Sequence, residues 1–497
     1  MPLDLDHRDG PRDECGVFGI YAPELDVSRH AYFALYALQH RGQESAGIAA
    51  ADAGGYIITQ RALGLVSQVF KEHDLKALSG DLAIGHVRYS TTGSNEWENS
   101  QPVHRSAGSG GNRRELALAH NGNLINAVEL HSSMREQGVS FRSTSDSELI
   151  AALLSNHPAD SIEDAVADVV PRLEGAFSTV VMTPDRVVAF RDPAGLRPLV
   201  LGQLGDRYCV ASESCAFDII GATLMRDVQP GEMVSISDRG LQVRQVVSGE
   251  REAFCVFEYI YFARPDSRMN GDVLQAARGR MGEILAREAP VDGDLVIAVP
   301  DSGNAAARGY ARASGLPQDD GFVKNRYVAR TFIQPGQELR KHGLRLKFNP
   351  LPEIVGGKRL VVVDDSIVRG NTTRQIVERH VIGIDVGDRV EQRAIRPRRR
   401  QGRLRRAERP HLAARRGERA IPRAVALDLD RNQAPSDCRL RVRRGLRRTP
   451  VGHHARTSGS SRSSANLPFA SVVPASGYSP LKHASQWRER SLPLVRA

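Results

Sequence analysis

Two groups of residues in this 497-residue chain carry the types and spacings that covalent chemistry needs. The first opens at Glu14-Cys15-Gly16-Val17-Phe18-Gly19-Ile20. A lone cysteine is ordinarily a buried structural thiol. Removal of residues 1–14 would instead leave Cys15 with its own α-amino group. That amine, with a pKa near ~8, could serve as the base for the thiol of the same residue. Four polar clusters follow: His40-Arg41-Gly42-Gln43-Glu44-Ser45-Ala46-Gly47, Gly85-His86-Val87-Arg88-Tyr89-Ser90-Thr91-Thr92-Gly93, Ala119-His120-Asn121-Gly122-Asn123-Leu124 and Ser145-Asp146-Ser147-Glu148. Each has a plain alternative. Asn-Gly is a common hairpin turn, Arg88 could sit in a surface ion pair, and Asp146 could cap a helix. The second group is Leu360-Val-Val-Val-Asp364-Asp365-Ser366-Ile367-Val368-Arg369-Gly370-Asn371-Thr372-Thr373. Here an apolar strand runs into two acids and then a loop of Gly and hydroxyl residues. Backbone N–H groups at a helix N-terminus cradle a phosphate. Adjacent carboxylates can hold sugar hydroxyls and Mg²⁺, which favours oxygen ligands.

These residues need elements to position them. Arg29–His40 reads as a helix ending before Gly42, and Ala127–Gln137 as one stopping at Gly138, a natural helix C-terminal residue. Phe177–Met182 and Val187–Arg191 read as strands joined by a turn. From about residue 255 the rhythm changes. Asp294–Val299 and Leu360–Val363 are short apolar runs, the pattern of buried parallel strands. Each ends in an Asp-bearing loop, and ligands of such sheets bind beyond the carboxyl ends of the strands.

The order of the first clusters resembles the glutaminase domain of class II glutamine amidotransferases. The Leu360–Thr373 string resembles the motif of type I phosphoribosyltransferases. The two together, with Val299-Pro300-Asp301-Ser302-Gly303 and Lys324-Asn325-Arg326-Tyr327-Val328-Ala329-Arg330-Thr331-Phe332-Ile333-Gln334-Pro335, resemble the amidophosphoribosyltransferase family over about Asp13 to Val377. The resemblance implies a mixed α/β and α+β architecture. A four-layer αββα N-terminal-nucleophile hydrolase domain (15–250) is followed by a parallel-sheet phosphoribosyltransferase domain (251–380, incomplete), with residues 1–14 as propeptide. It implies that glutamine, 5-phosphoribosyl 1-pyrophosphate and water become 5-phosphoribosylamine, glutamate and pyrophosphate, the first committed step of purine synthesis. Cys15 would attack the glutamine amide. Asn121 and Gly122 would form the oxyanion hole. Arg88 would bind the glutamine carboxylate and Asp146 its ammonium, with Thr91 also at the substrate. Asp364 and Asp365 would contact ribose and Mg²⁺, with Ser302 on the metal or pyrophosphate side. Arg369, Gly370, Asn371, Thr372 and Thr373 would bind the 5′-phosphate. Lys324 and Arg330 would belong to the family's mobile loop, which closes over the substrate. In the family, ammonia passes between the sites through a closed apolar passage. The resemblance also implies purine-nucleotide feedback inhibitors and a homo-oligomer.

Composition bounds the rest. Apolar residues make up 41% and charged residues 25%, and no apolar run approaches the ~18–20 residues of a membrane span. The first residues lack the apolar stretch of a signal peptide. Five scattered cysteines, with no CxxC pair, fit a reducing cytoplasm. The net charge of +10 is unevenly spread. Residues 381–497 hold 27 Lys and Arg against 9 Asp and Glu, leaving 41 against 49 for residues 1–380. All but Lys482 of those 27 are Arg, and sustained apolar periodicity is absent, so disorder is expected over most of this tail. The change is abrupt and fits translation from a shifted reading frame of a GC-rich gene, which the other frames of the coding DNA would reveal. One branch of the family holds a [4Fe–4S] cluster through four cysteines, the first matching Cys255. Only Cys438 lies beyond residue 380, so the partners are missing. Two alternatives stand: a remnant retaining only glutaminase activity, and a basic-tailed protein binding nucleic acid by counterion release. Few aromatics and no recognisable module argue against the latter.

Overall fold

The computed structural model describes residues 15–51, 55–89, 96–108, 114–249, 252–325, 348–367, 391–394, 425–428 and 467–473. The chain divides into two compact units, Met1–Arg278 and Gly279–Ala497.

The first unit begins with β1 (Gly16–Tyr21), α1 (Val27–Ala37), β2 (Ser45–Ala51), β3 (Ile57–Leu63), α2 (Val66–Val69), α3 (Glu72–Ala77) and β4 (Leu82–Arg88). Next come β5 (Val103–Ala107), β6 (Arg114–Leu124), α4 (Ala127–Glu136), α5 (Asp146–Ser155), α6 (Ile162–Val169), β7 (Gly175–Thr183), β8 (Arg186–Arg191), β9 (Val200–Leu204) and β10 (Arg207–Ala211). It ends with α7 (Cys215–Ile220), β11 (Thr223–Asp227), β12 (Glu232–Ser237), β13 (Gly240–Gln245), one π-helical turn (Glu258–Phe262), the small pair β14 (Arg268–Met269) and β15 (Asp272–Val273), and α8 (Leu274–Glu288), which extends past Arg278.

Seven strands form one antiparallel sheet in the order β11-β9-β10-β1-β4-β2-β3, and six form a second, β13-β12-β8-β7-β6-β5. The faces explain the sequence. Phe18, Ile20 and Ile48 pack against α1 and α7 through Ala31, Leu35 and Phe217. Leu116, Leu118 and Phe177 pack against α4, α5 and α6 through Leu130, Leu149 and Val166. Val17, Ile84, Ala119, Val180 and Val234 fill the space between the sheets. The unit is therefore the expected αββα sandwich. Because β1 is covered on both faces, all its residues are buried and the strand does not alternate apolar with polar. A Cβ on Gly19 would come within 2.7 Å of Val180 in the other sheet, so this glycine lets the layers close. The expected helices and strands over 29–40, 127–137, 177–182 and 187–191 correspond to α1, α4, β7 and β8.

In the second unit β16 (Leu295–Ala298) is followed by α9 (Asn304–Ser314), β17 (Phe322–Lys324), β18 (Phe348–Pro350), α10 (Pro352–Val355) and β19 (Leu360–Ile367). β16 and β19 pair in parallel, Leu295 opposite Leu360 through Ala298 opposite Val363. One face packs Leu295, Ile297 and Val362 on Phe322 and Phe348. The other packs Val296, Val361 and Val363 on Ala307 and Tyr310. Burial on both faces is the reason for the unbroken apolar runs.

Three further strands lie in the tail: β20 (Glu391–Ala394), β21 (Val425–Asp428) and β22 (Leu467–Val473). Disorder is expected over most of 381–497, and these short segments are what the structure describes of it. Leu467-Pro-Phe-Ala-Ser-Val-Val473 is an apolar, partly β-branched run that suits a strand, and it pairs antiparallel along β19. The rest of the tail lies outside the described residues. No helix among the described residues is long and apolar enough to cross a membrane.

Candidate functional site

Cys15 stands immediately before β1 and is 6% exposed. Gly16 lies opposite Val87 in β4, so the end of β4 flanks the thiol. Cys15 Sγ donates to the Tyr89 carbonyl at 3.4 Å, and the Tyr89 N–H reaches Sγ at 3.5 Å. Burial pushes the thiol up to about 11, against the pull of the Tyr89 hydrogen bond and the Arg88 charge. Such a thiol is protonated at neutral pH and needs a base to react. Arg88, Glu44 and Asp146 all act on the Cys15 thiol through their charges. Arg88 is 3% exposed, with its Nη1 3.9 Å from Glu44 Oε2. Gly42 makes room for this corner: a Cβ there would meet the Arg88 backbone N at 2.6 Å.

Asn121 and Gly122 lie near the end of β6, opposite Ser178 and Phe177. Asn121 is buried, and its Nδ2 finds no acceptor among the described residues. A buried amide left without a partner costs about 1–3 kcal/mol and suits a site that waits for an acceptor. Gly122 has φ +156°, and a Cβ would meet the Ala176 carbonyl oxygen at 2.1 Å. Asp146 opens α5, after Ser145 has capped the helix by accepting from the Glu148 N–H. Asp146 Oδ2 accepts the Leu124 N–H at 3.1 Å, and Oδ1 lies 3.6 Å from His120 Nδ1. Burial opposes ionisation of Asp146, yet His120 and the N–H groups of Leu124 and Ser147 hold its carboxyl below the usual carboxylate range. The fold thus gathers Cys15, Arg88 and Asp146, and sets Asn121 beside His120, which touches Asp146.

One cluster has no counterpart in the sequence reading. Arg41 donates from Nε to the Cys15 carbonyl at 3.0 Å, and its Nη atoms donate to Glu213 and Glu258. Arg41 stands inside a motif quoted for the resemblance and Glu258 follows the family-matching Cys255 by three positions, whereas nothing in the local sequence marks Glu213.

In the second unit the parallel pairing brings the loop after β16 beside Asp364 and Asp365 of β19, and Val299 N–H donates to the Val363 carbonyl at 2.9 Å. Asp364 is 9% exposed, and its Oδ1 accepts the Asp365 N–H at 2.9 Å. Ser302 lies in the turn before α9, and Lys324, ending β17, pairs with Asp301. Gly303 is confined: a Cβ would meet the Val363 carbonyl oxygen at 2.6 Å. Two carboxylates and a hydroxyl form an oxygen-only donor set. Mg²⁺ is commonly held by one or two carboxylates together with substrate phosphates, so these residues fit it. Cys255 does not fit a cluster of four thiolates. Among the described residues no group of three or more His, Cys, Asp or Glu could hold a metal ion, and Cys438 lies outside them. Thr91, Arg330, Arg369, Gly370, Asn371, Thr372 and Thr373 also lie outside the described residues.

A cysteine before the central strand of an αββα sandwich is the layout of a glutamine amidotransferase, and a family model described as a glutamine amidotransferase domain matches residues 86–218. The chain is 52% identical over 373 residues to the amidophosphoribosyltransferase of Mycobacterium tuberculosis strain H37Rv, a match covering 74% of this chain and 70% of that one. It is 51% identical to that of Synechocystis sp. PCC 6803, covering 76% of each. Its structure matches glutamine phosphoribosylpyrophosphate amidotransferase from Bacillus subtilis, solved with ADP and GMP, with a TM-score of 0.68 and 45% identity over 74% of this chain and 78% of that one. The chain belongs to the amidophosphoribosyltransferase family, glutamine-dependent pentosyltransferases of purine biosynthesis.

Proposed function

We propose that residues 15–250 hydrolyse glutamine and that residues 251–380 deliver the ammonia to phosphoribosylpyrophosphate. The observation that carries the first half is the buried Asn121 amide, without an acceptor among the described residues, in the unit that gathers Cys15, Arg88 and Asp146. Once residues 1–14 are removed, the α-amino group of Cys15 takes the thiol proton. The thiolate then attacks the glutamine Cδ. Asn121 Nδ2 and the Gly122 N–H receive the oxyanion that develops, a contribution worth about 10²–10³ in rate for one such donor. The proton returns to the departing nitrogen, ammonia leaves, and water cleaves the thioester to glutamate. The Arg88 guanidinium binds the α-carboxylate as a fork and Asp146 the α-ammonium.

In the second unit the ammonia lone pair attacks the sugar C1 as the bond to pyrophosphate breaks. Asp364 and Asp365 hold the ribose hydroxyls, and with Ser302 they would hold Mg²⁺, which when bound would neutralise charge on the departing pyrophosphate. Lys324 and Arg330 meet the pyrophosphate, and Arg369–Thr373 cradle the 5′-phosphate. The family, together with the ADP and GMP in the Bacillus subtilis structure, supports feedback by purine nucleotides, and with it we place the protein in the cytoplasm as a homo-oligomer.

The test measures glutamate and pyrophosphate release together. The full chain is expected to release both from glutamine and phosphoribosylpyrophosphate, N-terminal sequencing is expected to begin at Cys15, and Cys15→Ala is expected to abolish glutamate release. Glutamate without pyrophosphate would confine activity to the first half, the remnant reading. Persistence of glutamate release in Cys15→Ala overturns the assignment of the nucleophile.

A further inference from the structure

A buried charge cluster sits behind Cys15, on the side of its carbonyl. Arg41 is 2% exposed, Glu213 0% and Glu258 2%. The two oxygens of Glu258 take Arg41 Nη1 at 3.0 Å and Nη2 at 2.5 Å as a fork. Glu213 Oε1 takes Nη1 at 2.5 Å and also His40 Nε2 at 2.7 Å. Its other oxygen takes the Arg264 N–H at 2.9 Å and Ser267 Oγ at 2.6 Å. The guanidinium Nε is aimed at the Cys15 carbonyl at 3.0 Å.

The guanidinium is planar, so its five N–H directions move together. A fork to Glu258 sets the plane, and the plane sets where the Cys15 carbonyl is held. That carbonyl belongs to the Cys15–Gly16 peptide, from which the Cα and Sγ of Cys15 project. Glu258 is itself held from behind: Arg278 donates to the Tyr259 and Ala263 carbonyls, each at 2.7 Å, bracketing the π-helical turn that Glu258 opens. Buried ion pairs are poor evidence for stability, because desolvation offsets most of the attraction. The directional content of this cluster is a better account of it.

We infer that Glu258 is a positioning residue for glutamine hydrolysis, acting through Arg41 on the backbone of Cys15. This rests on the reading of Cys15 as the nucleophile. Among the described residues the Glu258 carboxylate bonds to Arg41 and not to the thiol, Arg88 or Asp146, so its loss is expected to misplace the attacking atom and leave Arg88 and Asp146 in place.

The experiment compares glutamate release by the full chain carrying Glu258→Gln, Glu258→Asp or Cys15→Ala, with thermal melting of each. Glu258→Gln keeps the length and loses the charge and the fork. Its kcat is expected to fall roughly 100-fold, the scale of a ~1 Å misplacement, with the glutamine KM within about threefold. Glu258→Asp restores the charge and is expected to recover about tenfold of that loss. An unchanged kcat in Glu258→Gln, or a loss carried wholly by KM, overturns the inference. If Glu258→Gln does not fold, Glu258→Asp is judged by the same split, a lowered kcat at retained KM supporting positioning and an unchanged kcat overturning it. Activity surviving in Cys15→Ala sinks the nucleophile reading itself. Abolition there beside an unaffected Glu258→Gln sinks only the positioning role.

Discussion

Nδ1 of His120 stands 3.6 Å from Oδ1 of Asp146, while the opposite carboxylate oxygen accepts the Leu124 N–H at 3.1 Å. These partners keep a buried carboxylate ionised in a place where burial alone would protonate it. The site therefore holds a fixed negative charge before any substrate arrives.

Replacing that charge tests its role. Asp146→Asn is expected to raise the glutamine KM roughly 10–100-fold, the loss of a charged hydrogen bond of about 1.5–3 kcal/mol. The pH dependence follows from the direction of the shift. Because the folded pKa is lowered, the stability Asp146 contributes is present above the unfolded value near ~3.9 and is lost as pH falls through the folded value. Urea unfolding across acid pH is expected to show a flatter acid limb in Asp146→Asn. An unchanged limb would count against the ionised state.

The thiol makes the opposite prediction. Burial raises Cys15 to about 11, so in chains that retain residues 1–14, alkylation of Cys15 by iodoacetamide is expected to rise about tenfold per pH unit from neutrality. Mass spectrometry of the Cys15 peptide reads the rate, and a plateau near pH ~8 contradicts the burial argument.

Gly122 has no room for a side chain, since a Cβ would meet the Ala176 carbonyl oxygen at 2.1 Å. Gly122→Ala is expected to destabilise the first unit by on the order of 4 kcal/mol, the range of backbone strain and overpacking. Thermal melting checks this, and a melting temperature equal to that of the unaltered chain refutes it.

The acids of β19 should separate the two half-reactions. Asp364→Asn with Asp365→Asn is expected to lower pyrophosphate release at least ~100-fold, as for other losses of charge stabilisation at a reacting centre, while glutamate release continues. Parallel loss of both products would show that the acids act on folding instead.

Cys255 has no set of thiol partners among the described residues. Anaerobically purified chain is expected to carry no stoichiometric iron or acid-labile sulfide, and Cys255→Ser to change neither value. A full complement of four irons per chain, as a [4Fe–4S] cluster requires, overturns this.

Much of the architecture was legible in local sequence because local rules decide it. Continuous apolar runs announced the parallel pair β16 and β19, and Gly138 marked the end of α4. Cys15, Asn121 and Asp146 stood out as candidates through the order of the motifs around them, which resembles the glutaminase domain, since Asn-Gly alone reads as a turn and Asp146 alone as a helix cap. What local rules leave open is pairing: Leu467–Val473 lies along β19, because a strand depends on an available edge as well as on its own residues.

The sequence by itself determined the chemistry at hand: a cysteine that can become N-terminal, an Asn-Gly pair and two adjacent acids after an apolar strand. Only the tertiary structure decided how that chemistry is held. Arg41, Glu213 and Glu258 are separated by up to 217 positions along the chain, and no pattern of local spacing links them. They meet because burying the apolar faces of the αββα layers brings distant backbone segments together, and a buried guanidinium then requires carboxylates wherever the fold has placed it.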